Sequence, residues 1–92
     1  MTGDVIRTLT IVNEKGLHAR ASAKLVELVE DFDAEAVVSK DGIDVTGDSI
    51  MGLLMLTASR GTQIDVTTSG NDAEALADAI EALIADRFGE KD

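Results

Sequence analysis

One histidine, His18, stands in the run Gly16-Leu17-His18-Ala19-Arg20-Ala21-Ser22, directly ahead of a segment with helical apolar spacing. A neutral imidazole nitrogen is a competent phosphoryl acceptor. If a helix begins just after His18, that residue is its N-cap. The backbone N–H groups of Ala19, Arg20 and Ala21 then have no intrahelical acceptor. They lie at the positive end of the helix dipole and form a small anion cradle. Arg20 adds a guanidinium that can grip phosphate oxygens in a fork. The same positive potential would stabilise a phosphorylated ring, which has gained negative charge. The plain alternative is a satisfied surface histidine. A second candidate, Ser49, precedes the apolar run Ile50 to Leu56, and the N-cap preference of serine already accounts for it.

These residues need elements to hold them. Val5 to Val12 reads as a strand, with Leu9 and Ile11 alternating with Thr8 and Thr10. Asn13 to Gly16 is a loop. From Ala19 to Phe32 the period changes, and Ala21, Leu25, Leu28, Val29 and Phe32 form a helical stripe. Ala36-Val37-Val38 and Ile43 to Thr46 flank Asp41-Gly42, a strong hairpin signal because a type I′ turn needs positive φ at both central positions. A short helix follows Ser49, and Gln63 to Ser69 alternates as a strand. Asn71 with Glu74 reads as a capping box for a last helix, striped by Leu76, Ala77, Ile80, Leu83 and Ile84, with Gly89 as its terminator. The order is βαββαβα. An antiparallel sheet covered by helices on one face is expected, an α+β fold. Not all of Met51, Leu53, Leu54, Met55 and Leu56 fit inside so short a helix. One edge, including Met51 and Leu54, is expected to stay exposed as an apolar docking patch beside His18.

Ninety-two residues make one domain, 1–92. Cysteine is absent, so there is no disulfide frame and no Cys-based metal site. Eighteen acidic residues against eight basic ones give a net charge of −10, which argues against nucleic acid and anionic membrane surfaces as partners. Three of the eight basic residues, Lys15, Arg20 and Lys24, nevertheless crowd around His18. No apolar run approaches the roughly 18 residues of a transmembrane helix, and no signal peptide is evident. A cytoplasmic protein without membrane insertion is expected.

The run Gly16 to Arg20 resembles the active loop of the HPr family, the histidine-containing phosphocarriers of the phosphoenolpyruvate-dependent phosphotransferase system. Asp48-Ser49-Ile50-Met51-Gly52-Leu53 resembles that family's second signature, around a regulatory serine. The element order is similar to its open-faced β-sandwich, a four-stranded antiparallel sheet with three helices on one face. The resemblance runs the length of the chain. It implies that His18 takes phosphate on Nδ1 from phosphorylated Enzyme I and passes it to an EIIA-type protein, with Arg20 as the clamp in both transfers. It implies a monomeric carrier with a transient phosphohistidine, no cofactor and no metal, rather than a stand-alone enzyme. Ser49 would be a site for HPr kinase/phosphorylase. Leu17, Ala21 and Lys24 would join Met51 and Leu54 in the docking face. The family usually has Pro after this arginine. Ala21 stands there instead, restoring an N–H donor and loosening the backbone.

Two other readings compete. Phe32-Asp33-Ala34-Glu35, Leu53 to Leu56 and Gly61-Thr62-Gln63-Ile64 look closer to the nitrogen-branch, NPr-like carriers, which suggests a regulatory binding module without sugar transport. Asp48-Ser49-Ile50 looks like the Asp-Ser-Leu site at which acyl carrier proteins bear phosphopantetheine. Those proteins are helical bundles, which the strand alternation and the Asp-Gly hairpin here oppose.

Overall fold

The computed structural model describes residues 3–91; Met1, Thr2 and Asp92 of the one-domain reading lie outside them. In chain order the elements are β1 (Val5–Thr10), α1 (Ala19–Glu30), β2 (Glu35–Lys40), β3 (Ile43–Thr46), α2 (Ile50–Met55), β4 (Gln63–Ser69) and α3 (Ala73–Ala85), followed by a short turn at Arg87–Gly89. The four strands form one sheet in the order β1-β4-β2-β3, with every neighbouring pair antiparallel.

Register decides which face is apolar. Leu9 lies opposite Ile64, and Val66, Val38 and Val45 fall in one row across β4, β2 and β3. This face carries the core with the helices. α1 buries Ala21, Ser22, Leu25, Val26 and Val29, and α3 buries Ala73, Leu76, Ala77, Ile80 and Ile84. Each fully buried Leu or Ile contributes about 1.5–3 kcal/mol. The next row, one residue along, holds Thr8, Asp65, Ser39 and Asp44, where Thr8 donates to Asp65 at 2.7 Å and Ser39 to Asp44 at 2.6 Å. Alternation thus leaves the opposite face open to solvent and mostly polar, with Ile6 and Val37 as exposed apolar side chains on it. Arg7 ties α3 to the edge strand, its Nη1 lying 2.7 Å from Asp78 and 2.9 Å from Glu81; Asp78 first, then Glu81, raises the pKa of its guanidinium.

The hairpin turn has the expected geometry, with φ of 53° at Asp41 and 83° at Gly42. Several boundaries differ from the sequence expectation. β1 stops at Thr10, although Ile11 continues into the core. α1 stops at Glu30, where the Asp31 N–H turns back onto Leu28 and Val29, and Phe32 packs half-buried beyond it. The capping box at Asn71 does not form. Asn71 Nδ2 donates to Asp33 Oδ2 at 2.8 Å, and the N-cap is Asp72, whose carboxylate accepts from the Asp33 N–H at 2.9 Å. These side chains pin the α1–β2 loop to the β4–α3 loop, so neither serves its own helix.

The last helix also ends earlier than Gly89 would suggest. α3 stops at Ala85, and Arg87, Phe88 and Gly89 then take φ values of 56°, 54° and 78°. Three left-handed residues in a row reverse the chain. Phe88 falls into the core, 1% exposed, and the tail beyond it reaches the α1 N-terminus.

Candidate functional site

The loop before α1 is built around Gly16. Its φ is +68°, and a Cβ there would lie 2.5 Å from the Ala58 carbonyl oxygen, so only glycine fits. The Leu17 N–H donates to that same oxygen at 2.8 Å. Asn13, fully buried, donates its side-chain amide to the Gly16 carbonyl at 2.8 Å. The loop is therefore held from two sides before the helix starts.

His18 is the N-cap of α1, in extended backbone, and its carbonyl accepts from the Ser22 N–H at 2.8 Å. The Arg20 N–H donates to His18 Nδ1 at 3.2 Å. Nδ1 is therefore the acceptor nitrogen, with an unprotonated lone pair in this arrangement. Nε2 faces the carboxylate of Glu90, whose other oxygen accepts from Asn13 Nδ2 at 3.1 Å. The ring is about a quarter exposed, at 28%. It lines an open cleft of about 640 Å³ together with Lys15, Arg20, Lys24 and Lys91, with Glu14 and Glu90 as the acidic members. Four cations against two carboxylates make a positive zone on an otherwise acidic molecule. Lys24 is also structural, because its Nζ donates to the Phe88 carbonyl at 2.6 Å.

Of the cradle expected from the sequence, Ala19 and Ala21 stand in the first turn, outside the helical ladder. The Arg20 N–H is engaged by the imidazole. The structure corrects two of the expected docking residues. Leu17 is 5% exposed and Ala21 is not exposed at all; both side chains are in the core and offer a partner no surface. Ala21 belongs to the same buried stripe as Leu25 and Val29. On α2, Met51 is 72% exposed, whereas Leu54 is half-buried; the other exposed apolar side chains of that helix are Ile50 and Met55. Ser49 caps α2, its Oγ accepting from the Gly52 N–H at 3.0 Å. It does not line the His18 cleft.

Asn13 and Glu90 escaped the sequence reading. Nothing local marks them, because they meet across 77 residues. Among the described residues, no group of three or more His, Cys, Asp or Glu is placed to hold a metal ion, and no helix is long and apolar enough to cross a membrane.

The family model for the phosphotransferase-system HPr component phosphorylation site matches residues 5–86. The chain belongs to the HPr family. It is 48% identical to phosphocarrier protein HPr of Cupriavidus necator over 84 residues, covering 91% of this chain and 94% of that protein. It is 43% identical to phosphocarrier protein NPr of Shewanella violacea over 84 residues, covering 91% and 92% respectively. The crystal structure of HPr-C-His from Thermoanaerobacter tengcongensis superposes with a TM-score of 0.90 at 36% identity, covering 95% of this chain and 98% of that one. The open-faced sandwich is thus the HPr fold. The chain is an HPr/NPr phosphocarrier of the phosphotransferase system. The four-stranded sheet is not the helical bundle that the acyl carrier reading requires.

Proposed function

We propose that His18 Nδ1 accepts a phosphoryl group from phosphorylated Enzyme I and hands it to an EIIA-type protein. The observation that carries this reading is the Arg20 N–H donating to Nδ1, which leaves that nitrogen with a lone pair at the mouth of a cationic cleft. As the lone pair closes on phosphorus, the Arg20 N–H loses its acceptor and turns to a phosphoryl oxygen. The Ala19 and Ala21 N–H groups and the Arg20 guanidinium complete the cradle. Positioning and charge are most of what phosphoryl transfer asks of a protein. Incubation with phosphoenolpyruvate and Enzyme I, followed by intact-mass measurement, tests it. One acid-labile, base-stable phosphate is expected, and it is absent from His18→Ala. Retention of the label in that variant overturns the assignment.

A second role is regulatory. The NPr relative at 43% identity favours service in a nitrogen-type branch, where the EIIA-type acceptor is a regulator and no sugar is moved. Phosphate transfer to a nitrogen-type but not a sugar-type EIIA separates the two. Ser49 is a site for an HPr kinase/phosphorylase in this reading. A phosphate there adds about −1.5 to −2 charges beside exposed Met51 and opposes docking on α2.

A further inference from the structure

Among the described residues, four other than glycine take a positive φ: Asp41, Thr57, Arg87 and Phe88. Three have a reason in the fold. Asp41 sits in a hairpin turn that demands the conformation, and Arg87 and Phe88 reverse the chain so that the Phe88 ring reaches the core. Thr57, with φ of 48°, has no such reason. It is the first residue past Leu56, the C-cap of α2, where glycine or asparagine ordinarily takes the left-handed conformation. A β-branched residue there is strained. Thr57 is exposed, so no burial offsets the strain.

The turn is otherwise well made. The Thr57 N–H donates to the Leu54 carbonyl at 3.2 Å, and Oγ1 donates to the Leu56 carbonyl at 2.7 Å. The turn delivers buried Ala58, whose carbonyl oxygen lies against Gly16 and accepts from the Leu17 N–H. Glycine would hold the same backbone without strain. It would lack a side chain, and that of Thr57 stands at a particular place. With Lys15, Leu17, His18, Ala58 and Ser59, Thr57 lines a second cleft of about 220 Å³. His18 and Lys15 border this cleft and the larger cationic one alike. Thr57 is thus where the end of α2 meets the imidazole, two residues past exposed Met55.

We infer that Thr57 is a specificity-determining residue for phosphoryl transfer, its side chain meeting the partner protein that closes on His18. This rests on the carrier reading above. The partner must bring its phosphoryl-bearing or phosphoryl-accepting group to Nδ1, and the surface around that group then covers the clefts that border the ring. On the Thr57 side it meets two hydroxyl-bearing side chains and a single charge, Lys15. The Thr57 hydroxyl proton is already engaged by the Leu56 carbonyl, so towards a partner its oxygen accepts and its methyl packs. The fitting surface offers an apolar side chain with an N–H or O–H donor beside it. Such a contact sets affinity for the partner and leaves the chemical step alone.

The test uses the whole chain and its Thr57→Gly and Thr57→Asn variants. Thermal melting comes first. Both replacements suit the left-handed conformation, so both variants should melt a few degrees above the unaltered chain. Steady-state transfer is then followed with Enzyme I as donor and an EIIA-type protein as acceptor. Thr57→Gly should raise KM for one or both proteins about tenfold with kcat held. Thr57→Asn keeps a side chain of similar size and should recover most of the loss. Unchanged KM for both proteins in Thr57→Gly overturns the inference. So does a fall in kcat with KM intact, which would make Thr57 a support for the His18 loop. Lower melting temperatures in both variants would show no strain at Thr57 and overturn it too. If the unaltered chain takes up no phosphate from Enzyme I, the carrier reading fails, and this inference with it.

Discussion

Gly16 bears two constraints that are separable in principle and coincide here. Its φ lies in the left-handed region, and its α-carbon approaches the backbone of Ala58 and Ser59 closely enough to exclude a side chain. A Gly16→Ala chain must shift either the His18 loop or the segment after α2. A loss of about 2 kcal/mol or more is expected in denaturant unfolding, together with weaker phosphoryl uptake, since His18 is two residues away. Asp41 shows that positive φ alone is tolerable in an exposed turn. At this scale the sequence was partly legible. His18 and Arg20 announce themselves by local spacing, and the helix start follows from the same few residues. Ala21 stood both in the apolar stripe with Leu25 and in the expected docking face, and its burial decides for the stripe. Glu90 was not readable, because a contact closed by folding leaves no periodic or spacing signal at either end.

Elements explain how such distant residues meet. The strand and helix order could be read because alternation, the 3.6-residue period and the Asp41-Gly42 turn are all local rules. The ends of α3 could not. Asn71 and Asp72 take long-range partners in Asp33, which outcompete a capping box, and the helix yields at Ala85 to a left-handed turn. That turn holds a bulky residue at positive φ, a conformation that costs roughly 1–3 kcal/mol per residue. Burial of the Phe88 ring offsets it. Phe88→Ala should therefore cost about 3–5 kcal/mol in global stability. It should also release the tail, so that the Lys24 and Glu90 contacts are lost together. Amide hydrogen exchange checks this: the centre of the sheet should exchange faster by the global loss yet stay protected longest, while residues 87–91 and the His18 loop lose most of their protection.

The whole molecule is strongly acidic, with a net charge of −10, while its working cleft is cationic. Self-repulsion of this size loosens the folded state, and salt screens it. The melting temperature should rise between low and physiological ionic strength; a fall would mean that the cleft's few attractive pairs outweigh the general repulsion. The sheet adds another whole-molecule property through its order β1-β4-β2-β3. β4 pairs with both β1 and β2, so it joins the first strand to the hairpin. During synthesis β1 leaves the ribosome long before its strand partner β4 exists. The His18 loop waits for Ala58, the edge strand for Gln63 to Ser69, and the imidazole for Glu90. The histidine is made early and furnished late, so a nascent chain carries an unarmed ring until Glu90, 72 residues on, has been added.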